Sequence, residues 1–225
     1  MKKVSHTGKE ASELVKKFCN KVFRFHVIHH TYKELFEDED AKILMENTAN
    51  SFFSDLNTIL QHYILLEFAK ITDPAKTGRH ENFTIDNLIE SIDWPEDVRN
   101  TLISLNDKTK KFRDYILEAR HKLLAHMDKE VYLTDKVLGG FPEGEEESFL
   151  QTLKEICETT HKACFNNIYG QIAVGKEGDV HDLKKTLKRA LAFEKKFSDS
   201  TGKELSELFA LVQGDVRRLI QQTKK

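Results

Sequence analysis

The chain is expected to fold as an all-α bundle of about six to seven helices with a C-terminal helical extension. Three observations carry that expectation. Apolar residues recur at three- and four-residue spacing through most of the 225 positions. Only three prolines and ten glycines interrupt them, so few positions force the backbone out of a helix. No segment shows sustained period-two alternation, and no repeat of solenoid length is evident.

The first helix is expected over about Lys9 to Phe25, with Leu14, Val15, Phe18, Val22 and Phe25 on one side. A second, long helix should follow the acidic cluster Glu37-Asp38-Glu39-Asp40, with Asp40 as its N-cap, because a carboxylate there accepts from free backbone N–H groups. Its apolar positions are Phe52, Phe53, Leu56, Ile59, Leu60, Tyr63, Ile64 and Ile71. Thr72-Asp73-Pro74 should end it, since proline lacks a donor and disfavours helix at the residue before it.

Residues 73–83 read as an exposed loop. Thr84 can cap a short helix, Ile85 to Ser91, and Trp94-Pro95 opens a third long helix with proline suited to its first turn. Val98, Leu102, Leu105, Phe112, Ile116 and Leu123 form the buried stripe of that helix. A glycine-rich polar loop follows from Thr134 to Glu147. The next helix should run from about Glu146 to Tyr169 on Leu150, Leu153, Ile156, Cys157, Cys164, Phe165 and Ile168. A second loop spans Gly170 to Gly178. Helices over about Asp179 to Phe197 and Lys203 to Gln222 close the chain. Residues 1–225 are taken as one domain, with a core over about 10–170 and the C-terminal helical pair of 171–225 packed on it.

Composition narrows the function classes. Hydrophobic residues make up 39% and charged residues 32%, too apolar for a disordered chain. The longest apolar runs, such as Tyr63-Ile64-Leu65-Leu66, fall far short of the roughly 20 residues that span a bilayer. The N-terminal lysines have no apolar stretch behind them, so no secretory signal is expected. Three scattered cysteines (Cys19, Cys157 and Cys164) do not make a disulfide framework. A cytoplasmic location and no membrane partner follow. The net charge of −2 argues against non-specific coating of nucleic acid. It leaves room for an enzyme that touches a few phosphates.

The chemistry-bearing segment is Arg120-His121-Lys122-Leu123-Leu124-Ala125-His126, late in the third long helix. Six helical steps set Arg120 and His126 about 120° apart around the axis and about 9 Å apart along it, so both can border one groove. A planar guanidinium matches phosphate oxygens in a two-pronged contact. An imidazole titrates near neutrality and can move a proton. The pair suits a phosphodiester. An arginine and a histidine that are merely solvated, or that favour the helix dipole, would give the same spacing.

The string Glu118-Ala119-Arg120-His121-Lys122-Leu123-Leu124-Ala125-His126-Met127-Asp128 resembles the active-site segment of HEPN domains, in the AbiU-type abortive-infection branch. The likeness extends in layout over about residues 10–170. It includes the helix ending Leu65-Leu66-Glu67-Phe68-Ala69-Lys70-Ile71-Thr72-Asp73, the loop, the capped helix Thr84 to Ser91 and the motif helix. The resemblance implies a helical bundle that forms a homodimer through its motif helices. It implies a metal-independent endoribonuclease with no cofactor, in which the RNA 2′-hydroxyl attacks the adjacent phosphorus. It places His126 as general acid/base, Arg120 on the phosphorane charge and His121 at the polar position after the arginine, where most relatives carry asparagine or aspartate. Lys122, Arg113 and Asp128 are the expected substrate contacts. A role as a toxin or phage-defence effector, with an antitoxin protein as a possible partner, belongs to the same reading. Some HEPN toxins carry a tyrosine two residues after the histidine that a partner modifies with AMP. Asp128 stands there, so that silencing is not implied, although Tyr132 lies nearby.

Two other readings stay open: a non-catalytic HEPN module that binds RNA, a nucleotide or a protein partner, and a helical interaction protein in which the pair is incidental. Residues 108–122 hold six basic and two acidic side chains, a local +4. Such an excess could guide RNA or could be a solvated helix face. No metal site is expected. Cys157, His161 and Cys164 share a helix face but lack the fourth ligand zinc takes. His26, His29, His30 and His62 have no accompanying carboxylate at a recognisable spacing. No phosphate-binding glycine loop or nucleophile elbow is present.

Overall fold

The computed structural model describes residues 8–119, 140–170 and 177–198, together with residues 207, 210, 212 and 213. Among these the chain forms α1 (Lys9–Phe36), α2 (Glu39–Ile71), β1 (Lys76–Thr77), β2 (His80–Glu81), α3 (Ile85–Ser91), α4 (Glu96–Ala119), α5 (Glu145–Phe165) and α6 (Val180–Ser198). The all-α class expected from apolar spacing is the class observed. Contacts gather into two compact units, residues 1–33 with 55–174 and residues 34–54 with 175–225.

The first unit holds a continuous core. α1 contributes Val15, Phe18, Val22 and Phe25, and α2 contributes Ile64, Phe68 and Ile71. Leu102, Phe112 and Ile116 come from α4, and Phe149, Leu153 and Ile156 from α5. Four aromatic rings meet at its centre. Phe68 stands edge-on to Phe25 at 6.3 Å, to Phe112 at 5.9 Å and to Phe149 at 4.9 Å, while Phe112 and Phe149 stack at 4.5 Å. Such pairs add about 0.5–1.5 kcal/mol each beyond the area they bury. Trp94 is buried at the head of α4 and donates its indole N–H to the Leu88 carbonyl at 3.1 Å.

The second unit is built on Leu35, Ala41, Leu44, Met45, Phe53 and Val180, all buried. Lys184 of α6 ties two acidic groups, reaching Glu34 at 2.9 Å and Asp38 at 2.7 Å. Its hydrogen bond to Lys184, then that to the Ala41 amide, hold the Asp38 carboxyl below the ordinary carboxylate value.

Several boundaries differ from expectation. α1 continues well past Phe25 because no glycine or proline interrupts residues 9–38, and Leu35 is buried at its end. Asp38, not Asp40, caps α2: its carboxylate accepts from the Ala41 N–H at 3.0 Å, the geometry of an N-cap to the third helical residue. The apolar stripe of α2 is divided. Phe53, Ile64 and Ile71 are buried, whereas Phe52, Ile59 and Tyr63 are exposed and the unanticipated Phe68 takes a central place. A non-helical residue inside the helix, Ala49 at φ −152° and ψ 61°, breaks the periodicity on which one face would have been read. α5 stops at Phe165 because Asn166 turns into the left-handed region at φ 49°, its N–H closing on the Lys162 carbonyl at 2.9 Å. Ile168, expected in the stripe, lies beyond that stop and is 88% exposed. The expected loop at 73–83 contains the β1–β2 hairpin. Of the expected last helix, residues 207, 210, 212 and 213 are helical and the rest lies outside the described residues.

Candidate functional site

The sequence puts its candidate chemistry at the end of α4, and the structure shows how that helix is held. Pro95 supplies the first helical acceptor, taking the Arg99 N–H at 2.9 Å, and Glu96 and Asp97 place carboxylates at the positive end of the dipole. Leu102, Thr109, Phe112 and Ile116 are buried almost completely. Thr109, with no exposed surface, bonds back to the Asn106 carbonyl at 2.8 Å, so its hydroxyl costs nothing unpaired. α4 packs chiefly on α5. It is therefore bedded in the core to within four residues of Arg120. Arg120, His121, Lys122, His126 and Asp128 lie outside the described residues.

Arg113 is the one expected site residue that is described. Its side chain is 26% exposed, and Nη2 lies 3.9 Å from Oδ1 of Asp73, a carboxylate that is itself buried. Its Nε is buried and makes no hydrogen bond among the described residues. One helix face of α4 carries Asn106, Lys110 and Arg113 at four- and three-residue steps. Asn106 donates to Asp86, Lys110 lies 3.5 Å from the same carboxylate, and Arg113 faces Asp73. This face thus receives both ends of the segment that joins α2 to α3.

These neighbours change the electrostatic balance read from sequence. Lys110 is shared by Asp86 and by Asp107 at 3.7 Å, and Arg113 by Asp73. Within the described part of 108–122, Lys108, Lys110 and Lys111 are exposed, and of these Lys110 is paired with acidic neighbours. The pairs of Lys110, whose side chain is 48% exposed, contribute about 0–1 kcal/mol each, so their effect is on local potential more than on stability.

The constellations discounted from sequence keep structural explanations. Cys157 is fully buried in the core, and burial, then the adjacent Cys19, pushes its thiol well up. His161 leans on Phe165 at 4.6 Å and on Tyr169 at 5.6 Å, with Nδ1 3.3 Å from the Asn167 carbonyl. Among the described residues no group of three or more histidine, cysteine or acidic side chains could hold a metal ion. His29 is buried with Nε2 3.1 Å from Glu146. His26 nearby is pushed below its ordinary value, by burial first and then by His29 and Lys154. Both side chains join α1 to α5.

Sequence reading missed the hairpin between α2 and α3, which turns Arg79 and His80 to solvent. A glycine flanked by residues able to pair, Lys76-Thr77-Gly78-Arg79-His80-Glu81, is the signal that could have found it.

Among the described residues no helix is long and apolar enough to cross a membrane. The family model for HEPN domains of the AbiU2 type matches residues 8–189. No curated protein and no solved structure gives a significant match.

Proposed function

Since this chain belongs to the AbiU2 family of HEPN domains, we propose that it is a metal-independent endoribonuclease acting in abortive infection, as a toxin or phage-defence effector. The observation that carries the reading is the string Arg120-His121-Lys122-Leu123-Leu124-Ala125-His126, which in sequence directly follows a helix bedded in the core of the first unit.

Attack of an RNA 2′-hydroxyl on the adjacent phosphorus requires one proton to leave the nucleophile and one to reach the departing 5′-oxygen. It also builds negative charge on the phosphorane oxygens. His126 suits the proton transfers. Arg120 suits the charge, since its guanidinium is permanently cationic and binds two oxygens at once. His126 of one chain suits one of the two protons, and a homodimer with the two motifs facing each other, as the family resemblance implies, would supply the second imidazole. His121 fills the polar position after the arginine, and Lys122, Arg113 and Asp128 border the substrate. An antitoxin protein and a cytoplasmic site of action complete the proposal.

The second reading is a HEPN module that binds RNA, a nucleotide or a protein without cleaving. It is favoured by His121, which occupies the place where most relatives carry asparagine or aspartate. RNA incubated with purified protein in EDTA separates the two. Cleavage that falls about 10²- to 10⁴-fold in His126→Ala supports the nuclease. RNA left intact under these conditions supports the binding module.

A further inference from the structure

The connection from α2 to α3 is braced far beyond what a short surface loop requires. β1 and β2 have two residues each, pairing Lys76 with Glu81 and Thr77 with His80. Gly78 enters the two-residue turn at φ +59°, the left-handed region that glycine adopts without strain. A ladder this short is not stable alone in water. Asn82 supplies the bracing: its backbone N–H reaches the Ala75 carbonyl at 2.8 Å, and its side-chain amide donates to the Pro74 carbonyl at 2.9 Å and to Thr77 Oγ1 at 2.8 Å. Lys76 and Glu81 close an ion pair at 3.0 Å across the strands, and Ala75 is buried beneath them.

The side chains of Arg79 and His80 at the tip are exposed, and among the described residues neither makes a hydrogen bond or ion pair. The base of this segment is fixed to α4 through Asp73 with Arg113 and through Asp86 with Asn106 and Lys110. α4 ends at Ala119, and Arg120 is the next residue in the sequence. A cation and an imidazole on a hairpin braced by Asn82, with its base fixed to α4, are pre-organised. Less conformational freedom is then lost when a ligand binds.

We infer that Arg79 and His80 form a phosphate-binding subsite for single-stranded RNA, taking a phosphate that flanks the one being cleaved. The inference rests on the ribonuclease reading above. The guanidinium is the group that matches a phosphate in two-pronged fashion. The contact is to the backbone and carries no base preference.

The test uses fluorescence anisotropy with a labelled polyuridine RNA, on full-length protein carrying His126→Ala so that the probe survives. Adding Arg79→Ala should weaken binding about 5- to 30-fold and lower the slope of log affinity against log salt by about 0.7, the share of one phosphate contact on a single strand. Arg79→Lys should keep the salt slope. In the otherwise native enzyme, Arg79→Ala should raise KM on the long RNA and leave turnover of a dinucleoside monophosphate unchanged, since that substrate has no flanking phosphate. Equal affinity and equal salt slope in Arg79→Ala, beside active cleavage by the native enzyme, would overturn the subsite alone. Absence of both RNA binding and cleavage in the native protein would overturn the subsite and the nuclease reading together. Loss of a protein partner on Arg79→Ala, with RNA affinity unchanged, would assign the tip to a protein contact and overturn the inference.

Discussion

Replacing Phe112 with alanine should destabilise the first unit by about 3–5 kcal/mol. Phe112 is 1% exposed and its ring meets three others, Phe149 at 4.5 Å, Phe141 at 5.0 Å and Phe68 at 5.9 Å. Truncation removes the transfer free energy of the ring and leaves a space that those rigid neighbours fill only in part. Phe112→Leu keeps most of the volume and should cost less than about 1.5 kcal/mol. The chain has a single tryptophan, and Trp94 is buried in this same core, so urea unfolding followed by its fluorescence reports the unit directly. A double-mutant cycle with Phe149→Leu should return a coupling of about 0.5–1.5 kcal/mol for the stacked pair. A loss below about 1 kcal/mol in Phe112→Ala, at unchanged denaturant slope, would mean that the rings do not form a packed core. The bedding of α4 would then fail as an explanation for how the motif is supported.

Other perturbations probe the remaining links. Asp73→Ala should lower the Trp94 midpoint by an amount equivalent to about 1–3 kcal/mol, because it leaves the half-buried Arg113 guanidinium without its carboxylate; the loss should shrink when Arg113→Ala is combined with it. In the second unit, the Asp38 carboxyl sits below its ordinary value through its bond to Lys184 and the Ala41 amide. Its contribution is therefore complete above the ordinary carboxylate value of about 3.9 and is lost as pH falls through the lowered one. Burial opposes charge on Lys184, but its bonds to Asp38 and Glu34 outweigh that and raise it, so its contribution is lost only as pH rises through the raised value. Asp38→Asn should speed amide exchange over residues 34–54 at neutral pH, with a difference that vanishes in acid; a pH-independent difference would contradict the sign. Asn82→Ala removes two side-chain bonds and should speed exchange of the Lys76 to Glu81 amides while leaving the Trp94 midpoint nearly unchanged.

Much of the first unit was legible in the sequence because its helices bury one regular face. Val15, Phe18 and Val22 on α1, and Leu102, Phe112 and Ile116 on α4, follow helical spacing and are buried as that spacing predicts. Thr84 was legible for the same local reason, its hydroxyl taking the Asn87 N–H at 3.2 Å. α2 was not. Its apolar residues lie on more than one side, so spacing alone could not say that Phe68 would be central and Phe52 63% exposed. The cap of α2 was misplaced because Asp38 and Asp40 are both suitable side chains, and only the backbone geometry chooses between them. The hairpin was missed because two-residue strands are too short to show alternation. Of the expected site residues Arg113 alone is described. Its surroundings were not legible, since the carboxylates that meet Lys110 and Arg113 come from α3 and the end of α2, distant in sequence.

The most direct measurement is the chemistry of the RNA ends after digestion in EDTA. Attack by the 2′-hydroxyl, with Arg120 and His126 as its agents, predicts a 2′,3′-cyclic phosphate on one fragment and a 5′-hydroxyl on the other, both lost in His126→Ala. Fragments that carry 5′-phosphate and 3′-hydroxyl ends, or cyclic ends still formed at the native rate without His126, would contradict the account.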